Sequence, residues 1–447
     1  MDKFFNAQSV AIIGVSANEK KVGHTIYKNL LQNGYKGKIY PVNPNIKKVL
    51  GETVYPTLND IPDSIDLAVI AIPAKLVLNI LDECGKKKIK HVIIISSGFK
   101  ETGNFELEKK LKDKLKEHEI KAIGPNCLGT FDAYSNLDLL FLPREKMQRP
   151  EKGVISFISQ SGALGAAMLD KASSLGYGFS KFISYGNATS LNESDCLEYL
   201  EKDRNTKVIC LYIEGVSDAK RFMEVAKNVA EKKPVIVIKG GATMEGSKAT
   251  LSHTGSLAGQ HHVYNAAFKQ TGLIQVETLE ELFLVAKLFE KGRVPKGLNV
   301  QVITNGGGYG ILCTDAIVKN GLKLAQIKDS TKNKLKKLLP DITTIGNPID
   351  LVGDADPKRY EHALIAVSKD KNIDIILLVA LLQTPTLNNK IVDVIKDNVK
   401  TKTIVVVSTG GNQTQELKNK LEQNSIPTFD YPEQAVFALK KFSNFYL

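Results

Sequence analysis

Apolar residues along this chain fall into short, nearly unbroken runs separated by polar stretches with a helical period. The runs are VAIIGV (10–15), KIYPV (38–42), DLAVIAI (66–72), HVIIIS (91–96), GVISFIS (153–159), KVICLYI (207–213), PVIVIK (234–239), NVQVIT (299–304), IDIILLVA (373–380) and TIVVVS (403–408). Runs of this length, rich in Val and Ile and lacking strict alternation, predict strands buried on both faces. Amphipathic segments such as AKLVLNILDECGKKK and LEELFLVAKLFEKG lie between them. Strand–helix alternation predicts an α/β fold with parallel sheets and right-handed crossovers.

Two stretches break the alternation. DLLFLPREKMQRPEKG (138–153) is punctuated by Pro and charge, and FEKGRVPKGLN (289–299) closes a helix with Gly and Pro before a new strand. They predict three domains over about 1–130, 151–291 and 297–447. A length of 447 residues fits that number.

Composition narrows the class. Hydrophobic residues make up 43% and charged residues 24%, as in a soluble globular chain, and no apolar run reaches the ~18 residues of a membrane span. The N-terminus reads as a first strand rather than a signal peptide. Five scattered cysteines (Cys84, Cys127, Cys196, Cys210, Cys313) form no CxxC pair, which argues against a disulfide framework or a thiolate metal site and for a reducing cytoplasm. The net charge of +12 comes from lysine runs without interleaved aromatics. That pattern describes a solvated surface better than a nucleic-acid face, and the excess favours anionic small ligands.

The chemistry gathers at glycine turns. After the first strand, Gly14 and Gly23 bracket a polar loop holding Ser16, Asn18, Lys20 and Lys21, with a helix predicted from about Val22. Glycine permits close backbone approach to a phosphate, and a helix start presents free N–H groups. The spacing is not G-x-G-x-x-G, and Asn43 stands where a dinucleotide enzyme places its ribose-binding acid. The loop therefore reads as a site for a phosphate-bearing ligand other than NAD; an ordinary βα turn is the alternative. Loops 71–75, 96–103 and 123–129 follow further strands and share the same sheet edge.

Two more such turns open the later domains: Ser159-Gln160-Ser161-Gly162, and Asn305-Gly306-Gly307-Gly308. Between them stands His253, in the small-residue loop SHTGSLAG. Two helix starts with a loop histidine suit a phosphoryl group carried on imidazole. Glu214, at the end of a buried strand, reads as the group orienting that ring; a turn-capping carboxylate is the alternative. His253 is otherwise a surface loop histidine. Zinc binding with His261 and His262 lacks the spacing, and a serine nucleophile lacks G-x-S-x-G.

SHTGSLAG (252–259), SQSGALG (159–165), GPNCLG (124–129), TNGGGYGIL (304–312) and GNPIDLVGDA (346–355), in this order over essentially the whole chain, resemble the NDP-forming acyl-CoA synthetases. The alpha subunits of ADP-forming acetyl-CoA synthetases are the most similar members, and succinyl-CoA synthetase alpha subunits are more distant ones. The resemblance implies an N-terminal Rossmann-like CoA-binding domain and two flavodoxin-like ligase-CoA domains. It implies phosphorylation of His253 with Glu214 as its partner. It also implies phosphate binding at Ser161, Gly162, Gly306, Gly307 and Gly308, and CoA binding by Gly14, Ser16, Lys21, Ile72, Pro73, Ser97 and Asn126. The family needs an ATP-grasp domain, and none is legible here. The resemblance thus implies a separate beta subunit, in an α2β2 assembly, that brings ADP or ATP and Mg²⁺; no metal is expected on this chain. A non-catalytic CoA-responsive protein of the same fold is the alternative, and an NAD-linked oxidoreductase is disfavoured by Asn43.

Overall fold

The computed structural model describes residues 1–243, 245–246 and 261–447; residue 244 and residues 247–260, His253 among them, lie outside the described residues. The chain forms two compact units, Met1–Leu279 and Glu280–Leu447.

The first unit holds two sheets. In the first, β1 (Ser9–Ile13), β2 (Lys38–Val42), β5 (Leu67–Ile70), β6 (His91–Ile94) and β7 (Lys121–Ile123) are all parallel in the order β2-β1-β5-β6-β7; β3 (Lys48–Val49) and β4 (Glu52–Thr53) form a small hairpin after β2. Every residue of β1 and β5 is buried, as expected of strands covered by helices on both faces. Those helices are α1 (Val22–Gln32), α2 (Ala74–Lys86) and α3 (Phe105–Glu117). The strand order reverses between β1 and β5: the chain steps outward from β1 to β2, then crosses back to β5 on the other side of β1. That is the crevice where open parallel sheets bind ligands.

The second sheet comprises β8 (Gly129–Asp132), β9 (Leu137–Asp138), β10 (Lys152–Ser159), β11 (Phe179–Ser184), β12 (Val208–Ile213), β13 (Val235–Lys239) and β14 (Ile274–Gln275), in the order β14-β13-β12-β10-β11-β8-β9. Its helices are α4 (Gly162–Ser174), α5 (Glu193–Lys202), α6 (Ala219–Ala230) and α7 (His261–Thr271). One buried cluster joins the two sheets, from Phe4 and Val10 through Ile183 and Leu211 to Leu273. This shared core makes them a single unit.

Three features differ from the sequence reading. First, the chain at 129–132 belongs to the second sheet, where β8 pairs antiparallel with β11. Second, the stretch after Asp138 is firmly held. Arg149 Nε and Arg144 Nη1 reach Asp138 Oδ2 at 3.0 and 2.9 Å, and Asn29 Nδ2 donates to the carbonyls of Leu140 and Leu142. Third, β11 was not anticipated because Lys181 interrupts its apolar run. That lysine is nonetheless buried, with Nζ 3.1 Å from Asp132 Oδ2 and 3.0 Å from Asp203 Oδ2. An ion pair lets a cation occupy a core position that hydropathy assigns to the surface.

The second unit contains α8 (Leu279–Lys291), except for its first residue, and a parallel sheet. Its strands β15 (Asn299–Thr304), β16 (Lys323–Leu324), β18 (Ile375–Val379), β19 (Thr403–Val407) and β20 (Thr428–Phe429) lie in the order β16-β15-β18-β19-β20, and β17 (Ile349–Asp350) pairs with β15. Helix α8, which the sequence reading places at the end of the middle domain, makes contacts in this unit. Lys287 Nζ donates to Glu422 Oε1 at 2.7 Å and to the Thr428 carbonyl at 2.8 Å, and the Phe289 ring meets Phe442 at 4.9 Å.

Candidate functional site: a cavity of the first unit

A cavity of about 1340 Å³ opens at the carboxyl ends of the strands in the first unit. Its wall is built from turns that the sequence forces into close approach.

At the end of β1, Gly14 has φ +92°, and a Cβ there would lie 2.4 Å from the Ala71 carbonyl oxygen. A Cβ at Gly23 would lie 2.1 Å from the Gly14 oxygen. Only glycine lets α1 begin directly against this turn. The loop between them is held from below. His24 Nδ1 donates to the Ser16 carbonyl at 2.8 Å, Asn43 Nδ2 donates to the Val15 carbonyl at 2.6 Å, and Asn18 accepts from the Lys20 N–H at 2.9 Å. Asn43, read as the reason to exclude NAD, is thus a brace of the turn. Helix α1 follows Lys21 at its N-cap position, where no side chain caps it, leaving N–H donors to a ligand. Gly14, Ser16 and Lys21 all line the cavity.

The next turns add Ile72 and Pro73, then Ser97 and Asn126. Ser96 ties them together: its hydroxyl donates to the Ile72 carbonyl at 2.5 Å, and its carbonyl accepts from the Asn126 N–H at 2.9 Å. Helix α2 also starts without a side-chain cap, after Pro73. Cys127 lines the wall too, but burial pushes its thiol up to about 12, so it stays a neutral packing group.

Two residues not selected from sequence, Asn187 and Lys100, complete this side. Asn187 Nδ2 donates to Glu101 Oε2 at 2.7 Å and to Glu108 Oε2 at 2.9 Å, and Lys100 Nζ donates to the Asn187 carbonyl at 2.6 Å. Burial raises the Glu101 carboxyl, but hydrogen bonds from Asn187 and the N–H groups of Gly98 and Phe99 outweigh it and hold the pKa below its ordinary value. This cluster fixes the loop after β6 against the loop after β11. Its members lie some 80 residues apart, so no local motif announces it.

The far end of the cavity belongs to the second sheet. Ser161 caps α4, its hydroxyl accepting from the Leu164 N–H at 3.4 Å, and Gly162 begins the helix. Glu214 follows directly on β12 and is buried. Gln160 connects the two: its Oε1 accepts from the Glu214 N–H at 2.7 Å and from the Gly215 N–H at 3.2 Å. Tyr212 donates to Glu214 Oε1 at 3.2 Å. Gln160, Ser161, Gly162 and Glu214 all line the same cavity as Gly14. Gln160 sits in the quoted SQSG motif, where its polar head between two serines was the signal available.

In the second unit, Gly306 precedes helix α9 (Gly307–Lys319), which has no side-chain cap. The turn is fixed by reciprocal bonds at 3.0 Å between Asn305 and the backbone of Leu381. Gly307 and Gly308 are exposed, so their N–H groups are open to a ligand. His253 lies outside the described residues. Among the described residues there is no group of three His, Cys, Asp or Glu able to hold a metal, and no helix long and apolar enough to cross a membrane.

The fold and the phosphate-suited cavity define a class, and comparison with known proteins gives the same one. Residues 8–132 match the CoA binding domain, residues 152–289 the succinyl-CoA ligase like flavodoxin domain, and residues 300–442 the ligase-CoA domain. The chain is 40% identical to the alpha subunit of acetate–CoA ligase (ADP-forming) II of Pyrococcus furiosus, over 98% of this chain and 96% of that one. It is 42% identical to acetate–CoA ligase (ADP-forming) I of Archaeoglobus fulgidus, over 98% of this chain but only 63% of that longer protein. Acetyl-coenzyme A synthetase 1 of Ca. Korarchaeum cryptofilum, solved in complex with phosphate and ADP, superposes with a TM-score of 0.93 at 36% identity, covering 100% of this chain and 96% of that one. This chain belongs to the family of ADP-forming acetate–CoA ligases.

Proposed function

We propose that the chain is the alpha-type component of an ADP-forming acyl-CoA synthetase, catalysing acyl-CoA + ADP + phosphate ⇌ carboxylate + ATP + CoA together with a partner. One observation carries this reading: a single cavity joins a glycine-turn anion site at Gly14, Ser16 and Lys21 to a second one at Ser161, Gly162 and Glu214. CoA suits the first end, where uncapped helix starts and Lys21 face its phosphates, and Ile72, Pro73, Ser97 and Asn126 line the way towards the thioester.

At the second end a phosphate oxygen attacks the thioester carbonyl; the C–S bond breaks, CoA leaves as thiolate, and an acyl phosphate forms. A neutral His253 nitrogen then attacks phosphorus, the P–O bond to the acyl group breaks, and the carboxylate departs. Glu214 accepts a hydrogen bond from the N–H of the ring's other nitrogen and balances the imidazolium. The start of α4 neutralises the phosphoryl oxygens during transfer. In the second unit, taken by itself, the turn of Gly306, Gly307 and Gly308 is a further uncapped helix start suited to a phosphoryl group. ADP and Mg²⁺ belong to an ATP-grasp beta subunit in an α2β2 assembly; the alpha-subunit name of the Pyrococcus relative supports a partner. A reducing cytoplasm suits the five buried free cysteines.

The test is incubation of the purified chain with acetyl-CoA and radiolabelled phosphate. Acid-labile, alkali-stable label on His253, lost in His253→Ala with CoA binding retained, is the expected result. Absence of label in the native chain, with CoA bound, would favour the CoA-responsive binding protein instead.

A further inference from the structure

The stretch after β9 breaks the strand–helix alternation, and neither the motifs nor the reaction above gives it a task. Its backbone is clamped from two sides. Asn29 Nδ2 of α1 donates to the carbonyls of Leu140 and Leu142 at 2.7 and 3.0 Å, and Arg149 Nη2 donates to the Leu142 carbonyl at 2.8 Å. Phe141 is therefore held between two fixed carbonyls. Its ring is half-buried: it packs against the core shared by the two sheets and, together with Leu142, lines the cavity.

Two close approaches place this stretch at the second-sheet end of the cavity. A Cβ at Gly129 would lie 2.3 Å from the Leu139 carbonyl oxygen and 3.5 Å from Leu140 Cα, and a Cβ at Gly162 would lie 3.4 Å from Leu128 Cβ. Leu128 and Gly129 are thus wedged between the stretch and the start of α4. Helix α4 itself turns Gly162, Ala163 and Ala166 to the cavity, residues with almost no side-chain bulk. The apolar wall beside the helix start is therefore supplied by Leu128, Phe141 and Leu142. A phosphate oxygen held at that start must reach the thioester carbonyl, so the remainder of the acyl group lies against this wall. Leu128 is buried, with its N–H bonded to Ser184 Oγ at 3.0 Å, whereas the larger Phe141 ring keeps a face open to the cavity. We propose that Phe141 is a specificity-determining residue: its ring bounds the acyl pocket, admitting small aliphatic acyl groups and excluding aryl-substituted ones. The proposal rests on the reading that the start of α4 holds the attacking phosphate.

The experiment compares the native chain with Phe141→Ala and Phe141→Leu. Each is titrated calorimetrically with CoA, acetyl-CoA and phenylacetyl-CoA, and labelling from radiolabelled phosphate is timed with either thioester; thermal melting checks folding. The native chain is expected to bind phenylacetyl-CoA at least roughly tenfold more weakly than acetyl-CoA, the scale on which a hydrophobic pocket discriminates by size. Phe141→Ala should remove that preference and raise the ratio of phenylacetyl to acetyl labelling rates roughly tenfold, with affinity for CoA itself near native. Phe141→Leu should fall between the two. Equal binding of both thioesters by the native chain, or a native preference kept by Phe141→Ala, overturns the proposal. So does an equal loss of affinity for CoA and both thioesters in a folded Phe141→Ala, because the ring would then touch the CoA arm and not the acyl group. A native chain that binds CoA but takes no label from either thioester removes the phosphohistidine reading, and the affinity ratios still decide for or against Phe141. Should Phe141→Ala not fold, Phe141→Leu decides: a narrowed preference supports the proposal, and an unchanged one overturns it.

Discussion

The amide oxygen of Gln160 accepts the backbone N–H of Glu214 at 2.7 Å and that of Gly215 at 3.2 Å. The bond locks the end of β10 to the end of β12, so the start of α4 and the Glu214 carboxyl keep a fixed spacing. Gln160→Leu would leave two N–H groups without their acceptor, a cost of about 1–3 kcal/mol each. The expected outcome is CoA affinity close to native and His253 labelling slowed by roughly one to two orders of magnitude. Calorimetric titration of CoA and a labelling time course measure the two separately; equal losses in both would show a general collapse rather than a misplaced Glu214.

Gly23→Ala tests the first turn. The added methyl would lie 2.1 Å from the Gly14 carbonyl oxygen, so α1 must retreat from the loop that carries Ser16 and Lys21. CoA affinity should fall by roughly tenfold or more, equivalent to about 1.4 kcal/mol or more. Gly353→Ala, where a Cβ meets nothing within 4 Å, is the matching control and should leave CoA titrations unchanged.

Lys181→Met tests the buried ion cluster of β11. It removes the cation that Asp132 and Asp203 share and leaves two buried carboxylates. Breaking a buried pair in this way costs about 3–5 kcal/mol. Denaturant unfolding at neutral pH should show that loss. Asp203 gives the pH signature: burial raises its carboxyl, but hydrogen bonds from Thr206 and Lys181 outweigh it and hold the net value low. A group lowered on folding stabilises the native chain above its unfolded value near 4 and loses that contribution as pH falls through the folded value. The native chain should therefore lose stability on acidification below about pH 4 more steeply than Lys181→Met does.

Glu193 should make the native chain less stable as pH rises. Burial pushes its carboxyl up to about 7. Below about 4.5 it is protonated in both folded and unfolded chains and contributes nothing. Between there and 7 the unfolded chain releases the proton first, and above 7 the folded chain holds a buried carboxylate at a full cost of about 3 kcal/mol. Glu193→Gln should flatten the decline in melting temperature between pH 5 and 8; parallel declines in the two proteins would contradict this.

The ten apolar runs were legible as strands because a strand covered on both faces needs nothing but apolar side chains. Short edge strands such as β14 and β16, two residues each, carry too little pattern to be read. β11 escaped for the opposite reason: its buried lysine imitates a surface residue until Asp132 and Asp203 are brought beside it. The glycine turns were legible because Gly14 and Gly23 have no sterically allowed substitute, and that constraint is written locally. Asn187 and Lys100 carried no such mark, since each gains its meaning from a partner on another loop.

By itself, the sequence determined the strand–helix alternation, the positions of three phosphate-suited turns and the family resemblance, because these depend on residues close together in the chain. The tertiary structure decided that the turns at Gly14 and Ser161 share one cavity, that α8 packs with the C-terminal sheet, and that Gln160 bonds the backbone of Glu214. Those relationships depend on strand order and register, which arise when distant segments exclude water from a common core.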